Sequence, residues 1–242
     1  MSHIPTGTGV CPYCLGNPRG QQIPHGLRPG TLLRGQYLVG NVIGEGGFGI
    51  TYIGRDIVLD MKIAVKEFFP FGYATRNTLS SNTVTWSRHT HGALTEGDID
   101  KLLTEAQSIA KFHDDPNVVD VRNYFKENNT AYIIMEYLDG MNVSARIAKG
   151  GPIPAREAFR LFLPLMNSLQ GMHRRGIIHR DISPNNVRLL GNGRLKLMDF
   201  GSARYYQGGA KYLSVQYKEG FTPIEQRTSG GQQGPYTDVY SL

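Results

Sequence analysis

The sequence contains no apolar run long enough to cross a membrane as a helix. Such a helix needs about 18 consecutive apolar residues, and polar or charged residues interrupt each shorter run among these 242 residues. The N-terminus MSHIPTGTGV also lacks the charged-then-apolar order of a secretory signal peptide. The sequence therefore predicts a soluble, cytoplasmic chain without a membrane segment.

Cysteine is scarce as well. The chain has 2 cysteines, Cys11 and Cys14, and this number excludes a disulfide framework. Their CxxC spacing, followed by Gly16, is typical of one half of a zinc ribbon, which uses two such hairpins for tetrahedral thiolate ligation. His3 or His25 could complete a Zn²⁺ site, although neither spacing is characteristic. A site completed by another chain and a knuckle without metal are the alternatives.

Long runs of like charge are also missing. The formal net charge is +6, but lysine and arginine are scattered, and no run is longer than the pair Arg174 and Arg175. This pattern is typical of a mildly basic surface and argues against a nucleic-acid partner.

The chain has a β-prone part followed by a helical part. Residues 1–35 are rich in glycine and proline and are interpreted as the cysteine knuckle and a linker, with the ordered domain starting near Gln36. In residues 36–138 a helical stripe at 99–112 interrupts several β-prone runs. These runs are 37–39, 50–53, 63–66, 118–121 and 132–135.

In residues 139–242 apolar positions recur at helical spacing from Phe159 to Met172. Pro164 inside this stretch predicts a kink or a break, because proline removes one backbone hydrogen bond. Residues 191–194 join two short β-prone pieces and predict a hairpin turn with positive φ. A β-rich part followed by a helical part predicts an α+β fold.

A glycine-rich loop, residues 44–49 (GEGGFG), lies between two β-prone runs. Gly44, Gly46 and Gly49 would let backbone N–H groups approach phosphate oxygens without obstruction by a Cβ. A plain flexible hairpin is the alternative, because the pattern alone is weak.

Lys66 ends the run 63–66 and could be a solvated residue at the edge of a strand. It gains meaning from Glu105, which borders the apolar stripe of the predicted helix. A carboxylate there could pair with Lys66 and direct its ammonium group to α- and β-phosphates.

The catalytic loop, residues 179–186 (HRDISPNN), and the later Asp199, Phe200 and Gly201 resemble the protein-kinase signature set in order and spacing. The sequences at 46–52 (GGFGITY), 66–70 (KEFFP) and 220–226 (GFTPIEQ) resemble bacterial, eukaryotic-like serine/threonine kinases in particular. The resemblance covers the chain from about Tyr37 onward. It implies a two-lobed fold with a β-rich N-lobe at 36–138 and a helical C-lobe at 139–242.

The resemblance also implies roles for individual residues. Asp181 would accept or orient the proton of the attacking hydroxyl, while Asn186 and Asp199 would hold Mg²⁺ at the phosphates of ATP. The Glu136 carbonyl and the Leu138 N–H would bind adenine. A protein carrying Ser or Thr would be the substrate. The activation segment would be 202–221, with Ser214 as a candidate phosphorylation site and Thr222 and the nearby tyrosines as alternatives.

Two departures from the kinase pattern stand out. Ser183 replaces the lysine that most serine/threonine kinases place two residues after the catalytic aspartate, and we predict that Lys218 supplies the missing charge. The C-lobe is also expected to be incomplete, since the chain ends on a segment that resembles the start of a central helix, where Asp238 would brace the catalytic loop. A pseudokinase or scaffold that binds nucleotide and partners without phosphoryl transfer is the alternative function. A small-molecule phosphotransferase is a third, disfavoured by the activation segment.

Overall fold

The computed structural model describes residues 23–47, 49–87, 96–200, 204–205, 217–228 and 230–242. At 96–98, 101, 102, 105, 108, 204 and 205 only the backbone is described. The chain divides into two compact units. The first contains the residues up to Lys111 together with Val121–Tyr137, and the second contains Phe112–Asp120 and Leu138–Leu242.

The first unit is built on an antiparallel sheet whose six described strands lie in the order β1-β2-β3-β4-β8-β7. A separate pair, β5 and β6, forms a small hairpin. In chain order the elements are β1 (Leu32–Leu33), β2 (Tyr37–Gly46), β3 (Gly49–Asp56), β4 (Met61–Phe68), β5 (Ala74–Thr75), β6 (Thr85–Trp86), α1 (Glu96–Ala110), β7 (Val121–Glu127) and β8 (Thr130–Glu136). The α1 helix and four of the predicted β-prone runs are confirmed.

The larger apolar core of this unit covers one face of the sheet, here called the outer face. Side chains alternate between the two faces along a strand, so Val65 and Glu67 of β4 point to the outer face and Lys66 points to the opposite one. The buried members of the outer-face core include Leu27, Leu33, Tyr37, Val39, Ile50, Tyr52, Ile63, Val65, Phe69, Val84, Phe125, Tyr132 and Ile134. The opposite face, here called the Lys66 face, packs Phe68 and Ala131 against Ile99 of α1.

Ordered packing begins earlier than the start near Gln36 that the sequence predicts. The N-terminal segment, residues 23–33, lies on the outer face, where Leu27 is 3% exposed and Leu33 is 0% exposed. Leu33 also pairs with Tyr37 in the β1–β2 ladder. Sequence patterning misses this segment because its apolar residues are isolated and lack a period of either regular structure.

The insertion, residues 70–87, also covers the outer face. The sequence allows either an ordered extension or a mobile loop from Gly72 to Leu94, and the described part, up to Ser87, is an ordered extension. Its β5–β6 hairpin is fastened to the turn between β7 and β8, since Val84 N–H donates to the Asn128 carbonyl at 2.8 Å. The indole N–H of Trp86 donates to the Asn129 carbonyl at 2.9 Å.

The second unit is mainly helical with short strands. In chain order its elements are β9 (Gly140–Asn142), α2 (Val143–Gly150), α3 (Ala155–Arg174), β10 (Ile177–Ile178), β11 (Val187–Leu190), β12 (Leu195–Leu197), β13 (Arg204–Tyr205), α4 (Ile224–Arg227) and α5 (Pro235–Ser241). The sequence predicts a kink or a break at Pro164, and the α3 helix runs through this residue without a break. The predicted hairpin between β11 and β12 is confirmed, with Gly193 at φ +79°.

The strand predicted at 118–121 is wrong for most of its length, because β7 begins at Val121. Val118 and Val119 belong to the second unit instead. Val119 N–H donates to the Leu197 carbonyl at 3.0 Å, and both valines are buried there. These two β-prone residues thus lie in the core of the second unit and not in the sheet of the first.

No helix in the described ranges is both long and apolar enough to cross a membrane.

The neighbours Leu32 and Leu33 test whether the N-terminal segment is part of the fold. Leu33→Ala removes a fully buried side chain and should lower the free energy of unfolding by about 2–5 kcal/mol. Leu32 is 45% exposed, so Leu32→Ala should change that free energy by less than about 0.5 kcal/mol. Urea unfolding measures both values, and equal losses in the two variants would contradict the packing described.

Candidate active site

The glycine-rich loop joins β2 to β3, where Gly46 pairs with Gly49. A Cβ placed on Gly49 would lie 2.1 Å from the Glu67 carbonyl oxygen, so close packing of β3 on β4 requires glycine there. Among the described residues, no atom lies within 4 Å of the corresponding position at Gly46, and at Gly44 the nearest is Thr51 Cβ at 3.8 Å. Packing therefore explains Gly49, whereas the described neighbours of Gly46 do not require glycine there.

Lys66 lies half-buried in β4, directly opposite Thr51 of β3 and Ile133 of β8. Ala64, two residues earlier on the same face, is opposite Met135. Residues directly opposite each other in an antiparallel ladder point to the same face of the sheet. The Lys66 face thus brings the lysine together with small or apolar side chains, namely Thr51, Ala64, Ile133 and Met135.

The remaining predicted nucleotide residues are placed less fully. Glu136 is the last residue of β8 and pairs with Ile63. Leu138 is the first residue of the second unit after β8 and is 7% exposed. Glu105 belongs to α1, but its side chain lies outside the described residues, so its pairing with Lys66 stays a prediction.

In the second unit both carboxylate oxygens of Asp181 have a partner. Lys218 Nζ lies 2.7 Å from Oδ1, and Asn186 Nδ2 donates to Oδ2 at 2.7 Å. Lys218 Nζ also donates to Ser183 Oγ at 3.2 Å. Asp181 is only 8% exposed. The structure therefore brings Lys218 to Asp181 and to Ser183.

A tight turn holds the Lys218 backbone. Lys218 N–H donates to Thr222 Oγ1 at 2.8 Å, and Thr222 N–H donates back to the Lys218 carbonyl at 2.9 Å. Arg227 of α4 donates to the Thr222 carbonyl at 2.8 Å, and Ser241 of α5 donates to the Phe221 carbonyl at 2.7 Å. Two helices thus fix the turn from which the lysine reaches Asp181.

Asp238 of α5 braces the catalytic loop, as the resemblance predicts. Its carboxylate is fully buried and accepts the N–H of His179 and of Arg180, each at 2.8 Å. His173 Nε2 lies 2.8 Å from the same carboxylate. Arg180 has φ +69°, a strained conformation for a residue with a side chain. These hydrogen bonds hold the strained peptide immediately before Asp181.

The side chain of His179, the first residue of the catalytic loop, is fully buried. Its Nε2 lies 3.0 Å from the Met198 carbonyl, and Asp181 N–H donates to its Nδ1 at 3.2 Å. The Phe200 ring packs edge-on at 4.5 Å between ring centroids. Burial lowers the pKa of His179, while the charges of Asp238 and Asp181 oppose this shift. A neutral imidazole with its proton on Nε2 fits all of these contacts.

Asn186 and Asp199 supply oxygen ligands of the kind that Mg²⁺ prefers. Asn186 Nδ2 is used in the two bonds to Asp181, the second to its backbone oxygen at 2.8 Å, so its Oδ1 is the atom suited to a metal. Asp199 is exposed and has φ +58°. Across the described parts of the chain, no group of three or more His, Cys, Asp or Glu side chains could hold a metal ion. Such a pair fits Mg²⁺, which is commonly bound by one or two protein oxygens and substrate phosphates.

Some predicted residues fall outside the described ranges, namely Cys11, Cys14, Gly201 and Ser214. Conversely, sequence reasoning missed Gln226, whose amide donates to the Arg180 carbonyl at 2.9 Å. It also missed any role for Glu67, a fully buried acid. The sequence did carry a signal for Glu67, because it follows Ile63 and Val65 at every second position of one strand, and so shares a face with these two apolar residues.

The buried His179 predicts a pH-dependent stability. Burial lowers the pKa of His179 in the folded state. Below the ordinary histidine pKa of about 6.5 the unfolded chain therefore binds a proton at this residue, while the folded chain still holds it neutral. The contribution of His179 to the free energy of unfolding is fully present above about pH 6.5 and falls below it by up to about 1.4 kcal/mol per pH unit.

Urea unfolding between about pH 5 and pH 8 measures this slope. His179→Gln should lose its share of the slope, whereas His113→Gln, at an exposed histidine, should keep it. Indistinguishable slopes for His179→Gln and the unsubstituted chain would contradict the assignment.

Comparison with known proteins identifies the family to which this fold belongs. The family model for the protein kinase domain matches residues 37–242. The serine/threonine-protein kinase PrkC of Bacillus subtilis is 32% identical over 219 residues, covering 88% of this chain and 30% of PrkC. Serine/threonine-protein kinase F of Synechocystis is 30% identical over 218 residues, covering 87% of this chain and 43% of that kinase.

A solved structure, the PpkA-294 apo form, matches with a TM-score of 0.76 and 30% identity, covering 90% of this chain and 76% of that one. The chain thus spans less than half the length of the two curated relatives above. The family match extends over most of the sequence and includes Asp181, Asn186 and Asp199. This chain belongs to the protein kinase family.

Proposed function

We propose that this chain transfers the γ-phosphoryl group of ATP to a Ser or Thr hydroxyl of a protein substrate. The observation that carries the proposal is the arrangement at Asp181, a nearly buried carboxylate with one oxygen on Lys218 and the other on Asn186. Phosphoryl transfer needs an oriented proton acceptor and positive charge at the transferring group more than it needs covalent chemistry. Both features are present together in the second unit.

In the proposed reaction the substrate hydroxyl oxygen forms a bond to the γ-phosphorus, while the bond from that phosphorus to the bridging oxygen of ADP breaks. The hydroxyl proton passes to a carboxylate oxygen of Asp181. Asn186 and Asp199 would hold Mg²⁺, which supplies neutralisation of the phosphate charge when bound. Lys66, paired with Glu105, and the backbone of Gly44, Gly46 and Gly49 would hold the ATP phosphates. Glu136 and Leu138 would bind adenine through their main chain.

We further propose that Lys218 replaces the lysine that Ser183 lacks. Its ammonium group reaches Asp181 and Ser183 from the turn 218–222 and would stand beside the transferring phosphoryl group. Charge in a site of low exposure acts more strongly than charge in bulk water. A cytoplasmic location and Zn²⁺ at Cys11 and Cys14 stay predictions of the sequence.

An Asp181→Asn variant tests the proposed reaction. Asparagine keeps the shape of the aspartate side chain, although its contact with Lys218 is weaker. Its amide group does not accept the proton of the substrate hydroxyl. We expect transfer of label from γ-³²P-ATP to a protein substrate to fall by about 10²- to 10⁴-fold. Equal labelling by the variant and the unsubstituted chain would reject catalysis by this site and favour a scaffold.

A charge-exchange experiment tests Lys218. Lys218→Thr should lower turnover by about 10- to 1,000-fold. The double variant Ser183→Lys/Lys218→Thr should recover most of this turnover, because residue 183, which contacts Lys218, then carries the positive charge. Lys149→Thr, at an exposed lysine of α2, is the matched control and should leave turnover unchanged. If Lys218→Thr were as active as this control, the proposed role would be wrong.

A further inference from the structure

A fully buried ion pair lies on the outer face of the sheet, directly behind Lys66. Glu67 and Arg76 have side chains with 0% exposure. The Glu67 carboxylate accepts hydrogen bonds from Tyr52 at 2.7 Å and Tyr132 at 2.8 Å, and Arg76 Nη1 donates to it at 3.1 Å. A second nitrogen of Arg76 makes a closer contact with the same carboxylate. This charged group connects three strands of the sheet to the insertion.

Burial of both charges is costly unless all of their hydrogen-bonding groups are used. Burial raises the pKa of Tyr52 and of Tyr132, so both phenols stay protonated and donate to Glu67. Burial alone would lower the pKa of Arg76, but the hydrogen bond and charge of Glu67 raise it. Arg76 Nε also donates to the Asn82 carbonyl at 2.7 Å. These hydrogen bonds therefore hold the pair in one arrangement.

The network extends into the N-terminal segment. Arg76 Nη1 donates to the His25 carbonyl at 2.9 Å, and Leu27 N–H donates to Tyr52 Oη at 3.0 Å. Thr78 of the insertion donates to the Pro24 carbonyl at 3.1 Å. The backbone at 24–27 is thus fastened to the insertion and to β3 by three separate hydrogen bonds.

From this fixed backbone the His25 side chain reaches the glycine-rich loop. Its ring stacks on Phe69 at 5.2 Å and packs edge-on against Phe71 at 5.0 Å between centroids. Phe71 N–H donates to the Gly47 carbonyl at 3.3 Å. His25 Nε2 lies 3.4 Å from Glu45 Oε1. One imidazole therefore contacts a loop residue directly and packs on a second residue that is hydrogen-bonded to the loop.

We propose that His25 is a positioning residue for the glycine-rich loop, and that Arg76 fixes it there through the buried pair with Glu67. The matched kinase domain starts at residue 37, so His25 lies before the region that the family model covers. The affinity for the phosphates of ATP then depends on the N-terminal segment as well as on the kinase domain. This inference rests on the proposed role of the loop in holding ATP.

The test compares ATP with adenosine, which lacks phosphates. Displacement of trinitrophenyl-ATP from the 242-residue chain measures both affinities. His25→Leu retains an apolar side chain but loses the ring stack and the contact with Glu45. We expect its affinity for Mg-ATP to fall by about two- to tenfold, with the affinity for adenosine unchanged.

Two further variants complete the design. His25→Phe keeps a ring against Phe69 and Phe71 and preserves folding, and its loss for ATP should be no larger than that of His25→Leu. Leu79→Ala is the control, because this side chain of the insertion is 84% exposed and takes no part in the network, and it should bind ATP normally. Thermal melting identifies the variants that fold.

Unchanged ATP affinity in every His25 variant that folds would overturn the inference, and so would a parallel loss of adenosine affinity, which indicates general disruption. Failure of the unsubstituted chain to bind ATP would instead overturn the proposed function. The two failures are therefore distinguishable in one experiment.

Discussion

The buried carboxylate of Asp238 is the constraint on which the catalytic arrangement depends. It accepts two backbone N–H groups from the catalytic loop and contacts His173. Hydrogen bonds to a charged group are each worth about 1.5–3 kcal/mol, enough to offset the left-handed conformation of Arg180. That conformation turns the chain immediately before Asp181. The position of Asp181 is thus set in part by Asp238, which holds the two residues before it.

In the first unit the main constraint is that both faces of the sheet carry apolar side chains that must be covered. The Lys66 face is packed in part by α1. The outer face is covered by the N-terminal segment and the insertion, which place Leu27, Leu33 and Val84 on it. Among these apolar side chains the Glu67–Arg76 pair is fully enclosed. Apolar burial supplies the general attraction, whereas the buried pair permits only the arrangement that satisfies its hydrogen bonds.

Prediction from sequence succeeded where a local pattern carries the physical cause. The β-prone run 63–66 predicts a strand, and β4 contains it, although the strand continues to Phe68. The glycine at 193 predicts the hairpin turn, because a turn of this kind needs a residue that tolerates positive φ. Prediction failed at Val118 and Val119. Their β propensity is real, but it says nothing about which partner a short apolar run will choose, and Leu197 was the partner.

The sequence by itself determined the family and the chemical types in the site, because Asp181, Asn186 and Asp199 lie in short motifs whose order and spacing are independent of the rest of the fold. The sequence also predicted that Lys218 and Asp238, 37 and 57 residues beyond Asp181, serve the catalytic loop, and the tertiary structure supplied the contacts they make. Only the tertiary structure decided which side chains from the N-terminal segment and the insertion come together. His25 and Arg76 meet behind Lys66. Such contacts depend on packing between separate segments, and no local pattern in the sequence encodes that packing.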